Sequence, residues 1–242
     1  MSETWATLLS YRLHDLLMFS AGTYFGLFEL VNRLTWPAPL VGQALALTVL
    51  WMAARWPASP AAARTTARVI VLGLALTYAA VAGFYFRHGF DAIHWLGPAW
   101  TAAFVVQAVV CVALAVLWAR PTAELTRLRF PVTSPGWRRA HGLALLVAAA
   151  AWPALPLASQ RPLWQAEIVG LAPDATVLLS LGSVLLLRPP LGWAFALLPL
   201  PLTWSLFSGA TLWALQQPHA LVLPLAGAAT LLCVLMDGRL RR

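Results

Sequence analysis

The chain has 242 residues, of which 61% are hydrophobic and only 10% charged, with 13 Trp and a mean hydropathy of +0.76. Soluble domains carry about 25% charge, so the composition excludes a water-soluble globule and points to an all-α polytopic membrane protein, a single integral membrane domain over residues 1–242. The formal net charge is +8 and every basic residue is Arg; in so apolar a chain this reports cytoplasmic loop charge, whereas nucleic-acid binding would need a folded basic domain or a longer basic tract.

In chain order, the first element is "HDLLMFSAGTYFGLFELVNRLTWPAP", beginning at His14. Ser20 is a candidate cap for a helix from about Ala21, and Glu29 and Arg33 form an i,i+4 pair beside Asn32. Phe19, Tyr24, Phe25, Phe28 and Trp36 suit the membrane interface. Trp36-Pro37 stops the segment with almost no loop before the next apolar run. Residues 16–36 are therefore expected as an interfacial or partly re-entrant amphipathic helix on the outer face, the alternative being an eighth span.

Residues 37–236 are expected as a transmembrane bundle of about seven spans, at 37–56, 68–86, 98–118, 141–158, 175–187, 191–215 and 220–236. Each is near the ~20 residues that cross ~30 Å of hydrocarbon, the fifth being short. The runs do not alternate in polarity, so they read as helices rather than barrel strands. Arginine-rich and arginine-poor connections alternate, collecting twelve Arg on one side and four on the other. The rich side is expected to be cytoplasmic, with the C-terminus inside a bacterial inner membrane. No basic n-region with a following A-x-A-like site is visible, so no removable signal peptide is expected. Cys111 and Cys233 lie far apart in apolar runs, without metal or disulfide spacing.

The expected outer side holds most of the chemistry-bearing groups: His14, Asp15, Glu29, His88, Asp91, His94, Glu167, Asp174 and His219. "FRHGFDAIHWLGP" puts His88, Asp91 and His94 in one short connection; these are ligand types for a divalent metal, though at no defined spacing. All five histidines fall at helix ends or in loops, which argues against a mid-membrane haem and leaves an outer-face one open. Asp174 reads most simply as the N-cap of the fifth span. Glu167, with Glu29, Asn32, Arg33 and Asp91, could line an outer vestibule or form a partner-docking face. Arg127, Arg129, Arg138 and Arg139, around Phe130 and Trp137, suit contact with anionic lipid headgroups.

Pro153, Pro156, Pro199, Pro201 and Pro224 interrupt apolar runs, and broken helices can expose carbonyls to ions or substrate. Against active transport, no Asp, Glu, Lys or Arg falls at the middle of a span. Neither an internal repeat nor a nucleotide-binding loop is visible.

The stretches "YRLHDLLMFSAGTYFGLFELVNRLTWP", "FDAIHWLGPAW", "FVVQAVV", "AEIVGLAPDAT" and "WSLFSGATLWAL" together resemble the domain of unknown function 6064 family, bacterial membrane proteins often labelled automatically as major-facilitator permeases. They are spread over nearly the whole chain. The resemblance implies a polytopic inner-membrane protein and supplies no catalytic residue.

The expected function is a non-catalytic membrane subunit or scaffold that docks a periplasmic or membrane protein through its outer face. The alternatives are a small-solute or ion permease, and a membrane anchor for a redox enzyme with an outer-face cofactor. The bilayer is the one partner the composition names, and no cofactor is specified.

Overall fold

A computed structural model describes residues 19–57, 59–118 and 136–240. Every regular element among them is helical. Helix α1, Ala21–Leu34, starts at Ser20, whose hydroxyl accepts the Thr23 amide at 3.2 Å, and it buries the face carrying Tyr24, Phe25, Phe28 and Val31. Beyond the Trp36-Pro37 junction the chain turns by 98° into α2, Ala38–Ala54. The amphipathic opening helix thus stands across the bundle element that follows it. Helix α3, Pro60–Ala80, is capped by Ser59, with Pro60 in the first turn where no amide partner is needed. It runs on as a π-helical turn, Val81–Phe86.

Helix α4 spans Gly97–Leu117 and α5 spans Gly136–Ala151. Pro153 and Pro156 cannot donate to the α-helical ladder, and there α5 tightens into a 3-10 turn, Trp152–Ala154, and a last turn, Leu155–Ala158. Helix α6 covers Pro173–Leu187 and ends at Arg188 in the left-handed region, followed by two prolines that cannot continue it. Pro199 splits the next run into α7, Leu191–Leu197, and α8, Pro199–Ala214. Helix α9 is Val222–Leu240.

Each of the seven expected apolar runs falls on helix. Among the described residues, four helical stretches are long and apolar enough to cross a membrane: Ala61–Ala92, Gly97–Leu117, Gly136–Ala158 and Leu191–Ala214; the bent α1–α2 pair makes a fifth if it counts as one. Outward faces are apolar, with Leu40, Leu47 and Trp51 on α2, Val105, Val109 and Val116 on α4, and Leu225 and Leu232 on α9 all exposed. Such a surface suits hydrocarbon as its solvent.

Helix α6 is different, because every one of its residues is buried. It lies inside a ring formed by α3, α5, α8 and α9, packing most extensively on α5. Close approach there depends on two glycines: a Cβ on Gly182 would stand 2.8 Å from the Gly142 carbonyl oxygen, and one on Gly142 would stand 2.8 Å from the Leu186 side chain. Small residues let helix backbones meet where no hydrophobic force drives them together. At 1.5 Å per residue α6 is only about 22 Å long, shorter than the ~30 Å hydrocarbon core.

Arginines close several helix ends on one side. Arg68 Nε donates to the Ala115 carbonyl of α4 at 3.2 Å, and Arg138 Nε to the Leu185 carbonyl of α6 at 2.9 Å. Arg139 Nη2 reaches the Ala54 carbonyl of α2 at 3.4 Å. A cation at a helix C-terminus complements the dipole and takes up carbonyls that have no partner in the helix. Arg138 is buried by this role, which removes it from the expected lipid-headgroup set; Arg139 remains exposed. Arg127 and Arg129, like His14 and Asp15, lie outside the described residues.

Candidate functional site

Between α5 and α6 the chain first lies at the surface, at Pro162, Leu163 and Trp164, then turns inward. Buried non-helical backbone needs partners for its polar groups, and the neighbouring elements supply them. Asn32 of α1, itself buried, donates to the carbonyls of Trp164 and Ala166, both at 2.8 Å. The Gly170 amide donates to Thr176 Oγ1 at 2.8 Å, and that hydroxyl donates to the Ala172 carbonyl at 2.8 Å. Gly170 has φ +81°, a conformation open to glycine, and packs on Thr77 of α3. Gly42 of α2 faces the Val169 carbonyl so closely that no Cβ fits.

This tucked connection carries Glu167 to a fully enclosed position. Its Oε2 accepts the Trp152 indole N–H at 3.0 Å. Its Oε1 has no hydrogen-bond partner, and Arg161 Nη2 stops 3.7 Å away. The Arg161 guanidinium lies over the Phe25 ring, 3.6 Å from its centroid, and its Nε donates to Ser159 Oγ at 2.8 Å. Both of its terminal nitrogens lack hydrogen-bond partners.

Seven residues on, Asp174 is also fully enclosed. Oδ1 accepts the Trp204 indole N–H at 2.7 Å and Oδ2 accepts the Ser208 hydroxyl at 2.8 Å, both from α8. The cap position of α6 is Ala172, without a side-chain bond, and Asp174 sits one residue inside the first turn. The expected N-cap role is therefore corrected: with Pro173 as the first helical residue, the Asp174 side chain is directed to α8 rather than back to its own amides.

The two carboxyls feel each other. Burial pushes Glu167 up to about 8, and the Asp174 charge adds to the rise, against the Trp152 N–H and Arg161. The Tyr24 and Tyr85 hydroxyls lie within electrostatic reach of both acids, and Tyr85 Oη is buried without a hydrogen-bond partner. The π-helical turn of α3 holds Tyr85, stacked on Phe28 with centroids 5.2 Å apart. His219, just before α9, packs edge-on against Trp152 at 5.8 Å, and burial with the nearby Arg161 charge lowers its pKa.

The other expected site residues divide. Glu29 and Arg33 form the expected i,i+4 ion pair at 3.0 Å. Arg33 lies over Trp164 at 4.7 Å, with Trp36 edge-on to Trp164 at 5.8 Å. Asn32 does not stand with them: it faces inward as the clamp described above. Asp91 is half-buried near Thr101 Oγ1, at 3.5 Å. His94 stacks on Phe90 at 5.1 Å and accepts the Leu96 amide at Nδ1, 3.1 Å away, while His88 is exposed. His88, Asp91 and His94 are not brought into a ligand set, and among the described residues no group of three such side chains could hold a metal ion.

Trp152, Arg161, Tyr85, Trp204 and Ser208 were not singled out by sequence. A signal existed for the tryptophans, since an indole N–H inside an apolar run needs an acceptor. Glu167 was expected at an outer vestibule or docking face and Asp174 as an N-cap, and the structure instead encloses both as indole acceptors. No protein-family model, no curated protein and no solved structure matches this chain.

Proposed function

We propose that the chain is a permease for a small solute or ion, with α6, its tucked approach and the broken α7–α8 pair as the translocation core. The observation that carries this reading is the pair of enclosed carboxyls, Glu167 and Asp174, at one end of a helix no lipid touches. Ionisable groups sealed inside a membrane bundle are costly and commonly mark an ion or substrate path. Non-helical backbone beside a discontinuous helix is also the usual setting of such sites. Seven crossings with α1 as a re-entrant limb, and arginine-capped ends facing the cytoplasm of a bacterial inner membrane, belong to the same proposal. So does the likeness to the domain of unknown function 6064 family, which rests on the quoted segments alone and names no activity.

The test is flux in liposomes reconstituted with the full chain and loaded with indicators for protons and alkali cations, alongside a panel of labelled amino acids and organic cations. Flux above empty vesicles is expected, with loss in D174N and retention in T48A, a change on the exposed face of α2. Equal signals from wild type, D174N and empty vesicles would remove the permease reading.

A second reading, a subunit docking a membrane or periplasmic protein, is favoured by one surface feature. The Glu29–Arg33 pair is ringed by exposed Leu34, Trp36, Leu163 and Trp164, the aromatic and Arg composition of binding hot spots. Purification from native membranes with mass spectrometry should then find a partner at fixed stoichiometry, lost in the E29A/R33A double variant. A single clean species sinks it.

A further inference from the structure

Glu167 and Asp174 are both enclosed, but their hydrogen bonding is unequal. Each Asp174 oxygen accepts one short bond, from a donor-only indole and from a hydroxyl. The carboxyl also lies in the first turn of α6, where the helix dipole favours negative charge. Both oxygens are thus satisfied, which makes Asp174 the better set of the two acids to carry charge. Glu167 has one satisfied oxygen and one with no partner. An ionised carboxylate with a bare oxygen, away from water and close to a second carboxylate, is strongly disfavoured.

The cation beside it forms an ion pair but no hydrogen bond. Arg161 comes within 3.7 Å of Oε1 yet makes no hydrogen bond there, resting instead on Phe25 and Ser159. Its two terminal nitrogens are free of hydrogen bonds, so it is placed to move onto a carboxylate that has lost its proton. Arg161 is also the residue immediately before the surface-exposed Pro162–Trp164 turn, and 11% of its side chain reaches the surface while Glu167 is fully enclosed.

We infer that Glu167 is a proton-binding site: it holds a dissociable proton while Asp174 stays ionised, and on release of that proton Arg161 swings from Phe25 to bond Glu167 Oε1. The proton leaves from Oε1 to water on the Arg161 side, and the new carboxylate gains one N–H donor from Arg161. The groups facing Glu167 are Arg161 and Trp152 beyond α5, Asp174 on α6, Tyr24 on α1 and Tyr85 on α3, while His219 before α9 packs on Trp152 and feels the Arg161 charge. Of these only Arg161 is placed to neutralise the released charge. This rests on the permease reading in one respect: there, the proton is the ion coupled to transport.

The test is infrared titration of the intact chain in mild detergent, reading the C=O band of a protonated carboxyl from about pH 5 to about pH 9, a range that brackets ordinary and shifted carboxyls. Wild type should show the band at the acid end and lose it across a single transition near neutrality or above. E167Q should lack the transition near neutrality or above. D174N should keep it with the midpoint moved to lower pH, because a repelling neighbour is gone. R161Q should keep it with the midpoint moved to higher pH. A transition near neutrality or above that survives in E167Q, vanishes in D174N, or is absent from wild type overturns the assignment. Should E167Q not fold, the opposite shifts in D174N and R161Q still decide it. A titrating Glu167 in a protein that moves no solute leaves the proton site standing and removes only the permease.

Discussion

Ser208→Ala tests the anchoring of Asp174 directly. The hydroxyl is fully enclosed and donates to Asp174 Oδ2 at 2.8 Å, so its removal strips one of two side-chain donors from a buried carboxylate. Hydrogen bonds to charged groups are worth about 1.5–3 kcal/mol, whereas bonds between membrane helices average about 0.6 and reach about 1.7. The upper part of the membrane range applies, because Asp174 is fully enclosed and among the described residues no basic side chain forms an ion pair with it. The expected loss is about 1.5 kcal/mol, or about 3–6 °C in apparent Tm on the scale of chains this size. The free thiols Cys111 and Cys233 are buried, so a thiol-reactive dye reports unfolding in detergent as each becomes accessible. Ser205→Ala is the control: its hydroxyl bonds only the Pro201 carbonyl of its own helix, a contact of small net value. In D174N the cost of S208A should shrink by about 1 kcal/mol, the coupling of a contacting pair. If S208A lowers Tm no more than S205A, or costs the same in D174N, the carboxylate does not depend on α8.

Other expectations use the same dye. Gly42→Ala drives a Cβ into the Val169 carbonyl, and since backbone must move, overpacking of this kind costs about 1–3 kcal/mol. Asn32→Ala removes two bonds to backbone carbonyls, one buried and one part-buried, and should cost about 1–3 kcal/mol. E29A/R33A, an exposed pair, should cost under about 0.5 kcal/mol; equal losses from the two would deny the clamp. Stability should also depend on pH through Glu167. Its folded pKa, near 8, exceeds the unfolded carboxyl value, so the folded state binds more protons between the two. Stability therefore falls as pH rises through that window, by at most about 1.4 kcal/mol per unit, and levels off above it. E167Q should flatten that slope; an unchanged slope assigns it elsewhere.

Much of the scaffold could be read from local chemistry. Ser20 as a cap, the Glu29–Arg33 pair, and the helical runs each depend on residues within a turn or two of one another. The enclosure of α6 could not be read this way, because "TVLLSLGSVLLL" is apolar all round whether it meets lipid or protein. Gly182 and the serines beside it were the available hint. Asn32 lies four residues after Phe28 and seven after Phe25, on their buried face, so its separation from the Glu29–Arg33 pair was legible and was missed. Glu167 was not legible as buried: its connection looks like an ordinary solvated loop, and what pulls it inside is a clamp from a residue 134 positions away from Ala166.

The arginines that close helix ends also imply an order of assembly during synthesis. Arg68 precedes its acceptor Ala115 by 47 residues, and Arg138 precedes Leu185 by 47, so both donors await their helices as these leave the ribosome. Ala54 instead must wait 85 residues for Arg139, roughly 4–17 s at 5–20 residues per second. Asn32 waits longer still, for carbonyls 132 and 134 residues downstream. The limb made earliest, α1 with the end of α2, is thus among the last to be locked, and a nascent chain stalled before residue 164 would carry it without the contacts that fix it against the rest.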